Sequence, residues 1–445
     1  MPIESAASPE QVAHLVHGEP GFIWLDGNGT RSLVCRDPAA TLVSDGERVM
    51  VRGLFGAVEL PAPSFDVLAA ALRAWQGTNT ALLAGFLGYD LAGDLEDVAP
   101  GNFPVDDFPR FYFGLYDCVL RHDSEGWRLD ATSGWRDSGP GIAEARRLLE
   151  RASSLSLPHP DDEEIPAAEL RTSDEAFLEG VKGIVQRIHR GEFFQTNLCR
   201  ALTAEFPATA AWPLYRRMRR SNPAKYAAFL NPDSQTRILS MSPELFLRTE
   251  NNAVESCPIK GTRPRDSDPF QDESLRADLL SDAKDGAELA MIVDVTRNDL
   301  SRVCQAGSVR VIEHRSLLNL PSLYHTYSRI EGCLKPGVTM IDLLRATFPP
   351  ASITGAPKIA AVQAALQEEG EGRGPCMGSI GWISLTGEME LSVAIRTAYV
   401  HKGRIRYLAG CGITAESDPS RELAESQAKA ASFVAALGKH TALGC

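Results

Sequence analysis

The chain has 445 residues, of which 44% are hydrophobic and 23% are charged, and this composition excludes a disordered protein. A length of this order predicts a large core and two or three domains. The formal net charge of −13 argues against binding to nucleic acid, because phosphates attract basic surfaces. An anionic ligand would have to be bound by a local cluster of cations.

Nine cysteines are present, with no C-x-x-C spacing. This pattern favours reduced thiols over a disulfide framework or a zinc site. The chain does not begin with a basic segment followed by an apolar one, and it contains no apolar run of membrane-spanning length. We therefore expect a cytoplasmic protein that does not associate with a membrane.

Residues 153–170, "SSLSLPHPDDEEIPAAEL", are rich in Ser, Pro and acidic side chains and are predicted to form a solvated linker. They separate an N-terminal region, residues 1–155, from a second region, residues 171–445. Short strand-like segments dominate the first region, and helices alternate with strands in the second. This mixture predicts an α+β fold in which antiparallel β-sheets pack face to face with helices outside.

Local signals predict the ends of several elements. A capping box formed by Thr172 and Glu175 would start a helix that ends near Gly191. The alternating run "ELFLRTENNAVES" predicts two strands around an Asn-Asn turn. The glycine-punctuated segments "GSIGWISLTGEMELSVAIRTAYV" and "RIRYLAGCGIT" predict further antiparallel strands.

Two later helices carry the acids discussed next. Residues 271–302 are predicted to be helical, with a break near Gly286. In the last helix Asp418 is the expected N-cap, Pro419 fits the first helical position, and Gly438 follows the end.

Each of these helices has a pair of acids three residues apart: Asp285 with Glu288, and Glu422 with Glu425. Residues at this spacing share a helix face, and such pairs are most often solvated surface groups. Glu288, however, directly precedes the apolar stretch "LAMIVDV", and a buried carboxylate needs a cation or a donor. Two such faces opposite each other would form the all-oxygen ligand set that Mg²⁺ prefers.

Two glycine-containing stretches are candidate binding sites for an anion. "SITGAPK" places Gly355 in a tight turn before an apolar helix, where backbone N–H groups can receive an anion; an ordinary turn is the alternative. "AGCGIT" places Gly410 and Gly412 around Cys411, which would let a ligand approach the backbone closely.

The stretch "GPCMGS", residues 374–379, has the G-x-C-x-G pattern of a glutaminase nucleophile. That chemistry needs a downstream histidine paired with an acid. Neither His401 nor His440 stands in such a context. We therefore predict that the chain does not hydrolyse glutamine by itself.

Several of these motifs together resemble one family. "SPELF", "CPIKGTRPR", "SDAKDGAELAMIVDVTRNDLSRV", "FPPASITGAPK", "GSIGW", "AIRTAYV" and "AGCGIT…PSRELAESQAKA" are similar in order and spacing to motifs of the chorismate-binding enzymes. This family includes the anthranilate, aminodeoxychorismate, isochorismate and salicylate synthases. The resemblance is dense over residues 173–437. It implies a fold like that of anthranilate synthase component I, with residues 1–155 as its N-terminal region and residues 171–445 as the chorismate-binding catalytic region.

The resemblance also implies roles for individual residues. Glu288 and Glu425 correspond to ligands of Mg²⁺, with Asp285 and Glu422 completing the metal site. Chorismate-binding roles fall on Thr262, Thr354, Gly355, Arg396, Gly410 and Gly412, and Arg396 would grip a carboxylate. Three catalytic roles are implied: Lys260 as a nucleophile, Glu244 as an acid that assists the attack of ammonia, and His325 as the acid that assists departure of the ring hydroxyl.

Within the family, Lys260 resembles the aminodeoxychorismate synthase component I branch, whereas anthranilate synthases resemble "PIAGTR" at this position. That branch implies conversion of chorismate and ammonia to 4-amino-4-deoxychorismate for 4-aminobenzoate and folate synthesis. A separate amidotransferase subunit would supply the ammonia from glutamine. Alternatives are anthranilate synthase component I, an isochorismate or salicylate synthase, and a non-catalytic relative. Cys376 stands where the family usually has a pocket aromatic, which leaves more room for the substrate.

Overall fold

The structure is a computed structural model that describes residues 1–27, 31–53, 56–61, 63–75, 81–96, 98, 108–132, 138–320, 323–438 and 441–444. His440, considered above as a glutaminase partner, lies outside these residues. None of the helices in the described ranges is both long and apolar enough to cross a membrane.

The described residues form 25 strands and 11 helices. The strands are β1 (Pro2–Ile3), β2 (Phe22–Leu25), β3 (Ser32–Cys35), β4 (Ala40–Ser44), β5 (Val49–Gly53), β6 (Gly56–Leu60), β7 (Leu82–Leu87), β8 (Phe111–Tyr116), β9 (Cys118–Asp123), β10 (Gly126–Ala131), β11 (Glu169–Thr172), β12 (Gln195–Glu205), β13 (Tyr226–Asn231), β14 (Thr236–Ser242), β15 (Leu245–Glu250), β16 (Ala253–Cys257), β17 (Ile259–Pro264), β18 (Arg310–Asn319), β19 (Leu323–Cys333), β20 (Gly355–Ala356), β21 (Ser379–Ser384), β22 (Met389–Val393), β23 (Thr397–His401), β24 (Arg404–Ile413) and β25 (Ala442–Gly444). The helices are α1 (Pro9–Val16), α2 (Ser64–Ala74), α3 (Ala92–Leu95), α4 (Ser138–Ser153), α5 (Asp174–His189), α6 (Ala211–Ser221), α7 (Pro269–Ser281), α8 (Ala283–Val303), α9 (Met340–Thr347), α10 (Lys358–Glu369) and α11 (Pro419–Leu437).

The strands build two large sheets of 13 and 12 strands. The first has the order β1-β10-β9-β3-β2-β13-β14-β23-β24-β12-β11-β25, with β20 paired to β12. The second has the order β17-β19-β16-β15-β22-β21-β7-β8-β4-β5-β6, with β18 paired to β19. Neighbouring strands run antiparallel, as in β12 with β24 and β21 with β7, and the short β25 is parallel to β11.

The main core lies between the two sheets. Leu230 and Ile238 of the first sheet belong to the same buried apolar cluster as Phe86 and Leu391 of the second. A second cluster covers the other face of the first sheet, beneath α1, α4, α6 and α11, and a smaller one lies under α5 and α10. The predicted α+β fold, with antiparallel sheets packed face to face and helices outside, is confirmed.

Both sheets contain strands from each side of residues 153–170. In the first sheet Phe229 pairs with Trp24, and in the second Gly381 pairs with Gly85. The 153–170 segment itself packs on α6, because the buried guanidinium of Arg216 donates to Glu163 and to the carbonyl of Pro158. The division of the chain into an N-terminal and a catalytic region stays a prediction, and backbone hydrogen bonds join the two regions in both sheets.

Two local predictions are confirmed. Asn251 and Asn252, between β15 and β16, have φ of 50° and 65°, the left-handed pair that a tight hairpin turn requires. Asp418 caps α11 by accepting from the amide of Arg421 at 3.0 Å, and Gly438 ends that helix.

Two others are wrong. Thr172 does not open a capping box, because it pairs with Leu202 as the last residue of β11, and α5 begins only at Asp174. The break in the 271–302 segment falls at Asp282 rather than at Gly286. Asp282 caps α8 by accepting from the amide of Asp285 at 2.9 Å, while Gly286 continues the helix where a guanidinium packs against it.

Candidate active site

Lys260 lies in β17, where a bulge shifts the register with β19 between Lys260 and Thr262. Gly261 has a φ of +77°, and a Cβ there would lie 2.9 Å from Leu279 Cδ1, so the bulge requires glycine. The amine of Lys260 reaches into the protein, with Nζ 4.0 Å from Glu288 Oε2 and a side chain only 14% exposed. Lys260 is therefore a largely buried amine beside a carboxylate.

The two predicted pairs of acids face each other. Asp285 and Glu288 lie in the first turns of α8, and Glu422 and Glu425 lie in the first turns of α11. Lys284 contacts an acid on each helix, with Nζ 3.9 Å from Glu288 Oε1 and 3.5 Å from Glu422 Oε1. The i,i+3 spacing on each helix and the bridging position of Lys284 thus bring the carboxyl groups of both helices into one region.

The ionisation of these acids differs with their neighbours. Burial raises the pKa of Glu288, although the charges of Lys260 and Lys284 oppose the shift. For Glu425 burial also favours the neutral acid, but Lys429, with Nζ 2.7 Å from Oε1, together with Lys284 and Lys260 leaves the pKa of Glu425 lowered. Cations already compensate part of the negative charge that the two helices bring together.

Asp285 is engaged differently from the other three acids. Its Oδ2 accepts a hydrogen bond from Arg263 Nη1 at 3.1 Å. Burial, followed by repulsion from Asp282, raises the pKa of Asp285 despite that arginine. Its role as a metal ligand stays a prediction, and to take it up Asp285 would have to give up or share this contact.

A divalent cation fits the remaining donors. Glu422 is 3% exposed; its Oε1 accepts from Ser417 Oγ at 2.7 Å, and its Oε2 is buried without a hydrogen-bond partner in the part of the chain that the structure describes. A buried carboxylate oxygen without a donor is costly unless a cation approaches it. Glu422 and Glu425, with Glu288 on the other side of Lys284, are therefore the residues that would hold a hard cation through oxygen.

Arg396 and His325 contact each other next to Gly261 and Thr262 of β17. Arg396 Nη2 lies 2.9 Å from His325 Nε2, and since arginine can only donate, Nε2 is the acceptor. The ring proton is then on Nδ1, which lies 2.9 Å from Thr262 Oγ1 and 3.2 Å from the carbonyl of Gly261. Burial and the charge of Arg396 lower the pKa of His325 to about 4. In this state the predicted general acid carries no proton on Nε2.

The backbone and side chain of Arg396 both indicate a functional position. Its φ of 51° is left-handed, which is costly for a residue with a side chain and is often found at functional sites. Its Nη1 is buried and has no hydrogen-bond partner within the described ranges. The guanidinium therefore has a free donor available for a ligand.

Glu244 is buried near Lys260 and Arg396, with 3% of its surface exposed. Burial raises its pKa to about 7, although Ser352 and the charge of Lys260 act in the opposite direction. A carboxyl group with this pKa can accept or release a proton near neutral pH.

Gly410 and Gly412 of β24 are close to polar side chains of the neighbouring strand. A Cβ at Gly410 would lie 2.5 Å from Asn197 Nδ2, and one at Gly412 would lie 2.5 Å from Gln195 Nε2. Any larger residue would displace these side chains. The predicted role of the two glycines as backbone donors to a carboxylate stays a prediction.

The turn before α10 is also tightly packed. A Cβ at Gly355 would lie 2.0 Å from the carbonyl oxygen of Gln195, so this backbone approach requires glycine. The hydroxyl of Thr354 donates to the carbonyl of Ala351 at 3.0 Å within its own turn. Thr354 is buried, and its predicted contact with the substrate ring stays a prediction.

Three residues of the site were missed from the sequence: Gln195, Lys284 and Lys429. Gln195 Nε2 lies 3.4 Å from Glu288 Oε2, and Lys429 donates to the carbonyl of Gly410 at 3.0 Å. Lys429 had a local signal, since it follows Glu425 by four residues on one helix face. Gln195 had none, because its partner is 93 residues away.

Comparison with known proteins gives the family. The chorismate binding enzyme family matches residues 19–435. The chain belongs to the chorismate-binding enzymes. It is 36% identical over 368 residues to "anthranilate synthase component 1 3" of Haloarcula marismortui. That alignment covers 79% of this chain and 72% of the relative. It is 34% identical over 342 residues to aminodeoxychorismate synthase component 1 of Escherichia coli, covering 77% and 74%.

A solved structure of this family also matches. Anthranilate synthase component I from Streptococcus pneumoniae superposes with a TM-score of 0.79 at 25% identity, over 91% of this chain and 92% of that one. The anthranilate synthase and the aminodeoxychorismate synthase have similar sequence identity to this chain. Sequence identity alone therefore does not select one activity within the chorismate-binding enzymes.

The thiol of Cys376 in this chorismate-binding enzyme is not an activated nucleophile. It is buried and donates to the carbonyl of Thr397 at 3.2 Å, and burial raises its pKa to about 12. His401 Nδ1 lies 2.9 Å from the hydroxyl oxygen of Thr236. The residues that match the G-x-C-x-G pattern are therefore part of the buried structure of the protein and do not form a nucleophile site.

Proposed function

We propose that the chain is an aminodeoxychorismate synthase component I, which replaces the C4 hydroxyl of chorismate with an amino group. The observation that carries this proposal is Lys260, a largely buried amine whose Nζ lies 4.0 Å from Glu288 Oε2. A relative of the same name in Escherichia coli, 34% identical, supports it. Ammonia would come from glutamine through a separate amidotransferase subunit, and the product would serve 4-aminobenzoate and folate synthesis.

Chorismate is a dianion, and the two sides of the site would each take one carboxylate. Mg²⁺ held by Glu288, Glu422 and Glu425 would supply positive charge for the ring carboxylate. Arg396, with its free Nη1, would bind the enolpyruvyl carboxylate together with backbone amides near Gly410. Holding both carboxylates fixes the ring relative to Lys260 and so determines which carbon is attacked.

Substrate binding would also change His325. When Arg396 turns toward a carboxylate, His325 Nε2 loses its donor and gains a nearby negative charge, which favours protonation of the ring. The protonated Nε2 can then donate to the C4 hydroxyl as it leaves. The contact between Arg396 and His325 would thus keep the acid unprotonated until the substrate arrives.

The C4 hydroxyl would be replaced by the amino group in two steps. The amine of Lys260, in its unprotonated form, would add to C2; both ring double bonds shift by one position toward C4 and the C4–O bond breaks, so that the hydroxyl leaves as water with a proton from His325. Ammonia then adds to C4, both double bonds shift back, and the bond between C2 and the lysine nitrogen breaks, which returns the unprotonated amine. Glu244 accepts a proton from the incoming nitrogen, a role that suits its pKa of about 7.

Anthranilate synthase component I is the second candidate, because the relative of that name in Haloarcula marismortui is 36% identical. It would aminate C2 and expel pyruvate, and an isochorismate or salicylate synthase would use water instead of ammonia. Incubation of the purified chain with chorismate, Mg²⁺ and ammonium, followed by mass spectrometry of the products, separates these reactions. We expect 4-amino-4-deoxychorismate, and anthranilate or isochorismate as the main product would overturn the proposal.

A further inference from the structure

Cys411, Glu422 and Glu425 form a cluster that none of the roles above uses as a unit. The thiol sulfur and one carboxylate oxygen of each acid all lie within 4.8 Å of one another. Cys411 belongs to β24 and is fully buried beneath α11, which carries both acids. We name this group the thiol–carboxylate cluster.

Two observations indicate that the cluster is suited to a ligand. The first is the buried Oε2 of Glu422, which has no hydrogen-bond partner among the described residues. The second is the fixed position of the thiol, since Cys411 Sγ lies 3.4 Å from the backbone carbonyl of Glu422 in the first turn of α11. A buried thiol in one cluster with a carboxyl group that has an unpartnered oxygen is a donor set for a cation.

Two lysines now balance the charge of the cluster. Lys429 Nζ lies 2.7 Å from Glu425 Oε1, and Lys284 Nζ lies 3.5 Å from Glu422 Oε1. Both lysine side chains are about half exposed, at 46% and 47%. A bound ion would replace these contacts, and Lys429 could keep its hydrogen bond to the carbonyl of Gly410.

The identity of the donors selects the class of metal. Hard cations such as Mg²⁺ prefer oxygen, whereas thiolate sulfur favours Zn²⁺ and similar ions, which bind more tightly along the divalent series. Zinc takes sulfur at ~2.3 Å and carboxylate oxygen at ~2.0–2.2 Å, so its ligand atoms are ~3.3–3.8 Å apart. The ligand atoms of the cluster already lie within 4.8 Å of one another, so they would have to close by at most about 1.5 Å.

We propose that Cys411, Glu422 and Glu425 bind a divalent cation of the Zn²⁺ class through one sulfur and two carboxylates. The thiol proton is released to solvent as the sulfur–metal bond forms. Such an ion would occupy two carboxylates of the Mg²⁺ set, so zinc would compete with magnesium. The binding does not depend on the reaction proposed above; only its effect on turnover does.

Cobalt is the probe for this site, because Co²⁺ bonded to thiolate gives a charge-transfer absorption in the near ultraviolet and takes the same ligands as zinc. The full-length chain, treated with EDTA and desalted, would be titrated with Co²⁺. We expect an absorption that saturates at one equivalent, disappears on addition of Zn²⁺, and survives an excess of Mg²⁺.

Variants assign the absorption to the cluster. Cys411→Ala should lose it, and Glu425→Gln should weaken Co²⁺ binding at least about tenfold. Cys199→Ala is the matched control, since Cys199 is a buried thiol paired with Gly410 on the neighbouring strand and should leave the absorption unchanged. Circular dichroism confirms that each variant is folded.

The outcomes separate this proposal from the proposed reaction. An absorption of full intensity in folded Cys411→Ala, the absence of a thiolate–cobalt absorption in the unmodified chain, or its removal by equimolar Mg²⁺ would each overturn the proposal. If Cys411→Ala does not fold, Glu425→Gln, which keeps the thiol, is the deciding variant. Unweakened Co²⁺ binding by that variant would overturn the proposal. A chain that binds cobalt through Cys411 but does not aminate chorismate would remove the proposed function and leave this site in place.

Discussion

Arg396 donates a hydrogen bond to the unprotonated Nε2 of His325 across 2.9 Å, so the predicted general acid and the predicted carboxylate anchor occupy each other before substrate arrives. His325 Nε2 can take up a proton only when Arg396 Nη2 is released, whereas Arg396 Nη1 is available from the start. In the proposed reaction this contact would link substrate binding to proton transfer, because a carboxylate that attracts the guanidinium would also leave the imidazole free to take up a proton.

The first prediction concerns the titration of His325. In the free protein its pKa should be about 4, because burial and Arg396 disfavour the charged ring. The unfolded chain, with an ordinary histidine pKa of 6.5, then binds more protons, and the contribution of this group to stability falls as the pH decreases from 6.5 to about 4. Nitrogen chemical shifts of the His325 ring across this range test the value. Arg396→Met should raise the pKa, and an unchanged pKa in that variant would contradict the assigned contact.

The second prediction concerns Glu244. Its folded pKa of about 7 lies above the ordinary 4.5, so its contribution to stability is full below 4.5 and decreases as the pH rises toward 7. A shift of this size corresponds to at most about 3 kcal/mol. Glu244→Gln should therefore lose this dependence and be more stable than the unmodified chain above neutral pH, while its ammonia-dependent turnover decreases. Urea unfolding on both sides of this range measures the effect, and parallel pH profiles for the two chains would show that Glu244 is not a buried titrating acid.

The third prediction concerns the metal. Glu288→Gln and Glu425→Gln should each lower turnover at least about a hundredfold while the fold is retained, because the hard-cation site loses an anionic oxygen. Glu416→Gln is the matched control, since Glu416 is exposed just before α11. EDTA should stop the unmodified enzyme and Mg²⁺ should restore it. Full activity of the unmodified chain in EDTA would contradict the role of these acids as metal ligands.

The fourth prediction concerns the source of nitrogen. The buried thiol of Cys376, with a pKa of about 12, cannot attack glutamine at neutral pH. The purified chain should therefore aminate chorismate with ammonium and use glutamine only when an amidotransferase subunit is added. Release of glutamate by the chain alone, lost in Cys376→Ala, would show that this thiol is a nucleophile after all.

Local signals predicted the parts of the fold that depend on neighbouring residues in sequence. The cap at Asp418 and the Asn251-Asn252 turn are set by backbone chemistry within a few residues, and both were found as expected. The capping box at Thr172 failed because pairing with Leu202, thirty positions along the chain, holds that residue in a strand.

The same distinction applies to the site. The i,i+3 acids were visible because each pair lies on one helix, and family resemblance supplied their partners. The contact of Gln195 with Glu288 joins residues 93 positions apart, and that of Arg396 with His325 joins residues 71 apart. Such contacts depend on how the two sheets and their helices pack, which no local pattern encodes. The unprotonated state of His325 follows from one of them.

In the proposed reaction Lys260 forms a bond to the chorismate ring and thereby makes amination at C4 possible. Its largely buried position beside Glu288 leaves it inside the site, whereas Lys182 on the exposed face of α5 provides a matched control. Lys182→Ala should behave like the unmodified chain. Lys260→Ala should lose at least about a hundredfold of the C4-aminated product.

The most direct measurement is a search for the bond itself. The chain is mixed with chorismate and Mg²⁺ without ammonium, denatured rapidly, digested, and analysed by mass spectrometry. We expect an added mass on the peptide that contains Lys260, its absence in Lys260→Ala, and its loss when ammonium is added before denaturation. Formation of 4-amino-4-deoxychorismate at the full rate by Lys260→Ala, with no adduct on the unmodified chain, would contradict the covalent role of this lysine.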